Sequence, residues 1–136
     1  MSEPVSLIEK FGIPDEGTIV VLDDDGEIFK KLTLSAPSKV TLQRRIVGSK
    51  VEMIIIRIKD RVDYKQLFER LKKAVKQNGI FWVVIPRQSV TTNSEATEKR
   101  NMMFDSAKDA KLEVGNTIAV NEEEQAVQFM IKAEKN

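Results

Sequence analysis

Three short polar stretches, each following an apolar run, carry the residues that could do chemistry. Asp23-Asp24-Asp25-Gly26 comes after Thr18 to Leu22 and sets three carboxylates in a row. Such a cluster is either an acidic site or a solvated turn in which Asp25 caps the next helix, and the preference of Asp for turns and caps favours the turn. Asp60-Arg61 comes after Val51 to Ile58. Arg87, Ser89, Thr91 and Thr92 come after Ile80 to Ile85, ahead of a helix start near Ser94. A cation and hydroxyls in front of a helix N-terminus make an anion site; the alternative is a solvated, capped loop. The chain has no cysteine and no histidine. Disulfides, thiolate metal sites and a cysteine nucleophile are excluded, and the commonest general base and metal ligand are missing. An EF-hand is excluded too, because the acidic loop lacks alternating ligands and a terminal Glu.

The stretch Asp63 to Ser89 must position the third group. Asp63 with Gln66 reads as a capping box, and Tyr64, Leu67, Phe68, Leu71 and Val75 recur on one helix face. Lys65, Lys72, Lys73 and Lys76, interrupted by Glu69, form a solvated face. Asn78-Gly79 is expected to be the left-handed C-cap, after which Ile80 to Ile85 run without alternation and Pro86 closes the strand. A strand that is apolar on both faces belongs in the middle of a parallel sheet between helices, with Trp82 in the core.

The remaining elements follow in order. Val5 to Phe11 is expected as a short amphipathic helix lying over the sheet edge. Thr18 to Leu22 is a strand, Glu27 to Leu34 a short crossover helix, Val40 to Val47 an edge strand carrying Gln43, Arg44 and Arg45, and Val51 to Ile58 a second buried strand. A helix from about Glu95 to Lys111 has a stripe of Ala96, Met103, Ala107 and Ala110 beside Phe104. Thr117 to Asn121 and Ala126 to Ala133 form a hairpin across Glu122 to Gln125. With right-handed crossovers this order gives a three-layer α/β/α sandwich, a mainly parallel Rossmann-like sheet with a C-terminal antiparallel hairpin. At 136 residues, the chain is expected to be a single domain over 1–136. Lys and Arg number 22 against 21 acidic residues, so charge draws it to neither nucleic acid nor membrane. It has no basic aromatic patch, and is expected to carry no leader or membrane span and to be cytoplasmic.

The element order resembles a shortened class I methyltransferase. The segments SLIEKFGI, VVLDDDGE and DYKQLFERLKKAVKQNGIFWVVIPRQS, with the last helix and hairpin, resemble a family of short prokaryotic Rossmann-like proteins classed as a domain of unknown function. Trp82 and Pro86 match that family, and Arg87 stands where it has lysine, keeping the charge. Thr92-Asn93 approximates its Thr-Asp pair, and Gln125-Ala126 replaces its hairpin tryptophan. The resemblance implies the fold and carries no reaction. Methyl transfer would need a glycine-rich first loop and an acidic end to the second strand to hold ribose hydroxyls; this chain has VVLDDDGE and, near the second strand's end, Arg44 and Arg45. The acidic loop also resembles the first motif of haloacid-dehalogenase-type phosphatases, which implies Asp23 as nucleophile, Asp25 as general acid and Mg²⁺ between them. Glu27 replaces that motif's Thr.

Together these readings favour a non-catalytic Rossmann-like module that binds a partner protein or small anionic ligand at the strand carboxyl ends. Asp23, Asp25, Asp60, Arg87, Ser89 and Thr92 are its candidate ligand residues, with no catalytic residue, metal or cofactor assigned. Two alternatives stay open: a degenerate Mg²⁺-dependent phosphohydrolase using Asp23 and Asp25, and a structural self-association module through the terminal hairpin. The chain is expected to be a monomer or homodimer.

Overall fold

The long apolar runs are divided between two cores by the pleat of the strands. A computed structural model of the chain describes residues 10–22, 27–45, 50–58, 63–86, 94–120 and 124–131, with the side chains of 27, 77–78, 86 and 94–100 excepted. Its elements are β1 (Glu16–Leu22), α1 (Glu27–Ser35), β2 (Lys39–Gln43), β3 (Val51–Arg57), α2 (Tyr64–Ala74), β4 (Val75–Pro86), α3 (Ser94–Asp109), β5 (Leu112–Ala119) and β6 (Glu124–Ile131). Ile54, Ile56, Phe81, Val83 and Ile85 pack under α2 and α3, with Phe68, Leu71, Met103 and Ala107. Met53, Ile55, Trp82 and Val84 pack on the opposite face under α1, with Ile28 and Leu32. Continuous apolar strands are what a sheet covered on both faces requires, and the result is the expected three-layer sandwich.

The sheet order is β2-β1-β3-β4-β6-β5. β1 pairs in parallel with β2 and β3, and β3 in parallel with β4. β6 lies antiparallel between β4 and β5. The strand bearing Trp82 is therefore central, as expected, but its second neighbour is antiparallel rather than parallel. Phe68, Phe81 and Phe129 fill the space beneath α2, with ring centroids 5.1–5.8 Å apart.

Asp63 caps α2, its Oδ1 accepting from the Gln66 N–H at 3.2 Å. The far end differs from expectation. The helix stops at Ala74, Val75 is extended and buried, and Asn78-Gly79 is not a left-handed cap. Val51 pairs with Val75 and Met53 with Ile80, so residues 76–79 stand opposite Glu52 alone as a bulge in β4. A Cβ on Gly79 would lie 2.8 Å from the Lys76 carbonyl oxygen, and this close approach of backbone, not a helix end, is what calls for glycine there. Lys72 leaves the solvated face too: its ammonium donates to the Ala110 carbonyl at 2.7 Å, joining α2 to the end of α3.

Other boundaries also move. β2 is the edge strand predicted, but it ends at Gln43, leaving Arg44 and Arg45 beyond it. β5 begins at Leu112, almost directly after α3, with Lys111 between them at φ 60°. Of the helix predicted over 5–11, only Lys10 and Phe11 are described. Phe11 covers the middle of the sheet instead of its edge, meeting Trp82 edge to face at 5.4 Å, and the Trp82 indole N–H donates to the Phe11 carbonyl at 3.2 Å. Trp82 is core, as the sequence suggests. No helix among the described residues is long and apolar enough to cross a membrane.

Candidate functional site at the carboxyl ends of the strands

The connection from β1 leads to β2 on one side, and the chain then returns to β3 on the other. Strand order thus reverses between β1 and β3, and the space outside the carboxyl ends at such a reversal is where open α/β sheets take their ligands. Leu22, Gln43, Arg57 and Pro86 end β1 to β4 on this edge. Glu124 joins them because β6 runs the other way, with Glu124 opposite Pro86.

Arg57 and Glu124 form a two-pronged ion pair across the end of β4. Arg57 Nε donates to Glu124 Oε2 at 2.6 Å, and Nη2 donates to the second carboxylate oxygen. The side chains are only 14% and 13% exposed. Arg57 is in register with Val84, and Glu124 precedes Ala126 by two residues, so the pair continues the α1-side core outward. A planar guanidinium recognises paired oxygens, whether of a carboxylate or a phosphate.

The end of β2 carries a different group. Gln43 is in register with Val20, which belongs to the core beneath α2 and α3. Its Oε1 is shielded from solvent and has no hydrogen-bond partner. Arg44 is exposed, but its guanidinium lies over the Phe29 ring of α1, 4.6 Å from the centroid. A second shielded atom without a partner, Gln125 Nε2, stands on the same edge, where Gln125 is in register with Ile85. Among the described residues these are the two buried side-chain polar atoms left unbonded. Each costs about 1–3 kcal/mol relative to a bonded group, so neither is a neutral feature of the surface.

On the opposite edge both oxygens of Glu52 are bonded. Glu52 of β3 accepts from the Thr18 N–H at 2.6 Å and pairs with Lys76 in the β4 bulge. The Lys76 ammonium, then the Thr18 N–H, hold the Glu52 carboxyl below the usual carboxylate range. This clasp joins the starts of three strands.

The six residues singled out from sequence, Asp23, Asp25, Asp60, Arg87, Ser89 and Thr92, all lie outside the described residues. Leu22, Ile58 and Pro86, the described residues that precede them in the chain, all stand on the carboxyl edge. Sequence reasoning passed over Arg57, Glu124 and Gln125 as parts of a strand end and a hairpin. Their meeting depends on β6 inserting beside β4, and nothing local signals that. Gln43 and Arg44 were visible as polar residues in an edge strand, and the signal that could have found them was their position about twenty residues after the end of β1.

No family model matches the chain, and no curated protein matches it in sequence. Solved structures match it in shape. A SAM dependent methyltransferase from Aquifex aeolicus is 13% identical, with 92% of this chain and 87% of that one covered and a TM-score of 0.59. A methyltransferase from Pyrococcus furiosus is 10% identical over 93% and 80% of the two chains, with a TM-score of 0.59. Ribosomal protein L11 methylase from Lactobacillus delbrueckii subsp. bulgaricus is 10% identical over 93% and 75%, at 0.58. Such identities speak for the fold alone, and the chain has the α/β fold of the SAM-dependent methyltransferases.

Proposed function

We propose that this chain is a non-catalytic binding domain that takes a small anionic ligand beyond the carboxyl ends of β1 and β3. The reading rests on one observation: the two unbonded buried polar atoms of the described residues both stand on that edge. The two stand on β2 and β6, about 19 Å apart over four strand spacings, so a small ligand would complete one of them, a donor on Gln43 Oε1 or an acceptor on Gln125 Nε2. Arg87, Ser89 and Thr92, from the segment after β4, supply a cation and hydroxyl donors for the anion. Asp23, Asp25 and Asp60 accept from the ligand's own hydroxyl or amino groups.

The methyl donor that the fold brings to mind does not fit these residues. The end of β2, where a carboxylate would hold ribose hydroxyls, presents an amide and a guanidinium. The first loop has one glycine and three carboxylates. No methyl-transfer step is therefore assigned.

The test is calorimetric titration and thermal shift of the full chain with nucleotides, adenosylmethionine and phosphorylated metabolites. A phosphorylated compound should bind, and Arg87→Ala should weaken it by about tenfold or more, the loss of one charge-assisted hydrogen bond. No response to any anion overturns the ligand reading and leaves a partner protein as the occupant of this edge. The phosphohydrolase alternative stands on Asp23 and Asp25 alone, and unchanged background hydrolysis in Asp23→Asn would remove it. Self-association along β5 has less support, because the irregularity between Val114 and Thr117 interrupts the row of backbone groups a second copy would pair with.

A further inference from the structure

We propose that the outer edge of β2 docks an extended acidic segment of a partner protein, which joins the sheet as a further strand. This surface lies outside the crevice and uses none of the residues assigned there. Among the described residues β2 pairs with β1 alone and ends the sheet. Successive residues of a strand turn their backbone groups to opposite neighbours. The Thr18 N–H is turned to Glu52 on β3, so Ile19 faces β2, where it is in register with Leu42 and reaches Thr41 and Gln43 on either side. Leu42, and Val40 with it, therefore face outward. In agreement, the Val40 N–H donates to the Pro37 carbonyl at 3.0 Å. The Val40 carbonyl and both backbone groups of Leu42 are left at the open edge, the hydrogen-bonding unit that strand addition needs.

The charge around this edge has one sign. Residues 28–50 carry six cations, Lys30, Lys31, Lys39, Arg44, Arg45 and Lys50, and no acidic residue, in a chain whose total charge is +1. All six are exposed. Lys39 opens the strand and Arg44 follows its end, about 17 Å further along the edge. Lys39, Arg45 and Lys50 form no ion pair among the described residues. Between these charges Val40 and Leu42 pack against the core under α1 and stay partly exposed. Charge on an edge strand also stops sheets from joining, and this edge does refuse a second copy. Two β2 strands run antiparallel about Thr41 would bring Lys39 of each next to Arg44 of the other, like charge beside like charge at both ends. An acidic strand is attracted by the same residues, while its alternate apolar side chains meet Val40 and Leu42.

The experiment is fluorescence anisotropy at low salt, with the full chain titrated into a labelled peptide, acetyl-Glu-Glu-Val-Thr-Val-Thr-Glu-Glu-amide. The same peptide with lysine in place of glutamate is the control. The acidic peptide should bind at least about tenfold more tightly than the control, and the difference should shrink as salt is raised. Methylating the backbone nitrogens of one set of alternate peptide residues should abolish binding, and methylating the other set should leave it, because only every second residue turns to β2. Lys39→Glu with Arg45→Glu should weaken the acidic peptide by about tenfold or more and bind the lysine peptide instead, an exchange that an unfolded variant would not show. Binding that neither set of methyl groups affects, or displacement of the peptide by oligothymidylate of equal charge at equal concentration, overturns the proposal and makes this edge a surface for polyanions such as nucleic acid. No binding of the acidic peptide overturns it as well, and leaves the cations as a guard against pairing.

Discussion

Replacing Glu124 by glutamine keeps the shape of the Arg57 partner and removes its charge, and the structure bounds what that costs. Exposed ion pairs contribute about 0–1 kcal/mol, whereas stripping one partner from a fully buried pair costs about 3–5 kcal/mol. Exposures of 14% and 13% and two-pronged bonding put Arg57 and Glu124 nearer the buried limit. Glutamine keeps one acceptor for the guanidinium, which lowers the loss. The expected destabilisation is about 2 kcal/mol, seen as a shifted urea midpoint with an unchanged slope. For 136 residues this corresponds to a fall in melting temperature of about 7 °C. Replacing both residues together, Arg57→Met with Glu124→Leu, should recover most of the loss because neither member of the pair is left shielded without the other. A double-mutant cycle should therefore return a coupling of about 2 kcal/mol, and most of it should persist in about 1 M NaCl, since a shielded pair is screened weakly. A loss below about 0.5 kcal/mol, or a coupling abolished by salt, would show a solvated pair that does not hold β6 to β3, and the reasoning would fail.

Three further outcomes follow from other contacts. Lowering of the Glu52 carboxyl by Lys76 and the Thr18 N–H means that its stabilisation is complete above the ordinary carboxylate range and is lost as pH falls through the depressed value. The stability difference between wild type and Glu52→Gln should accordingly be constant near neutrality, at under about 1 kcal/mol for this partly exposed pair, and should shrink below about pH 4 in urea titrations. Gly17→Ala should cost about 2 kcal/mol by the same assay, because φ is 127° and the new Cβ would lie 2.8 Å from the Glu52 side chain. Phe129→Ala, which empties the fully buried centre of the aromatic group under α2, should cost about 3–5 kcal/mol; a loss under about 1 kcal/mol would mean that the site collapses freely and that the rings are not closely packed.

What the sequence made legible was whatever is encoded by runs and periods. Met53 to Ile56 and Phe81 to Ile85 could be assigned to covered strands because both faces of each must be buried, and their alternate residues do divide between the two cores. Asp63 could be assigned as a cap because the hydrogen bond it makes is local. Asn78-Gly79 misled for the complementary reason: the pair has the chemistry of a helix end, while the packing of Val75 and Ile80 against β3 draws the strand back to Val75 and turns the glycine into a bulge. The site was legible only in part. That the apolar strands deliver their loops to one edge follows from parallel order, but the Arg57–Glu124 pair joins residues 67 positions apart, and register at that separation is set by the whole sheet rather than by any motif.

The two edges of the sheet answer to different constraints. At the amino edge each oxygen of Glu52 has its partner, and the clasp restrains a tight strand start at Gly17 and a bulge at Lys76. At the carboxyl edge Gln43 and Gln125 keep buried amide atoms without partners, though leucine at either place would fill similar volume and remove an unmet polar group. Stability therefore does not explain the glutamines. Since the structure is otherwise economical with buried polar side chains, with no fully buried polar or charged residue among those described, the unmet groups are best understood as half of a set of hydrogen bonds. Under the proposed binding reading, the other half is supplied by the ligand at whichever amide it reaches, a donor at Gln43 or an acceptor at Gln125.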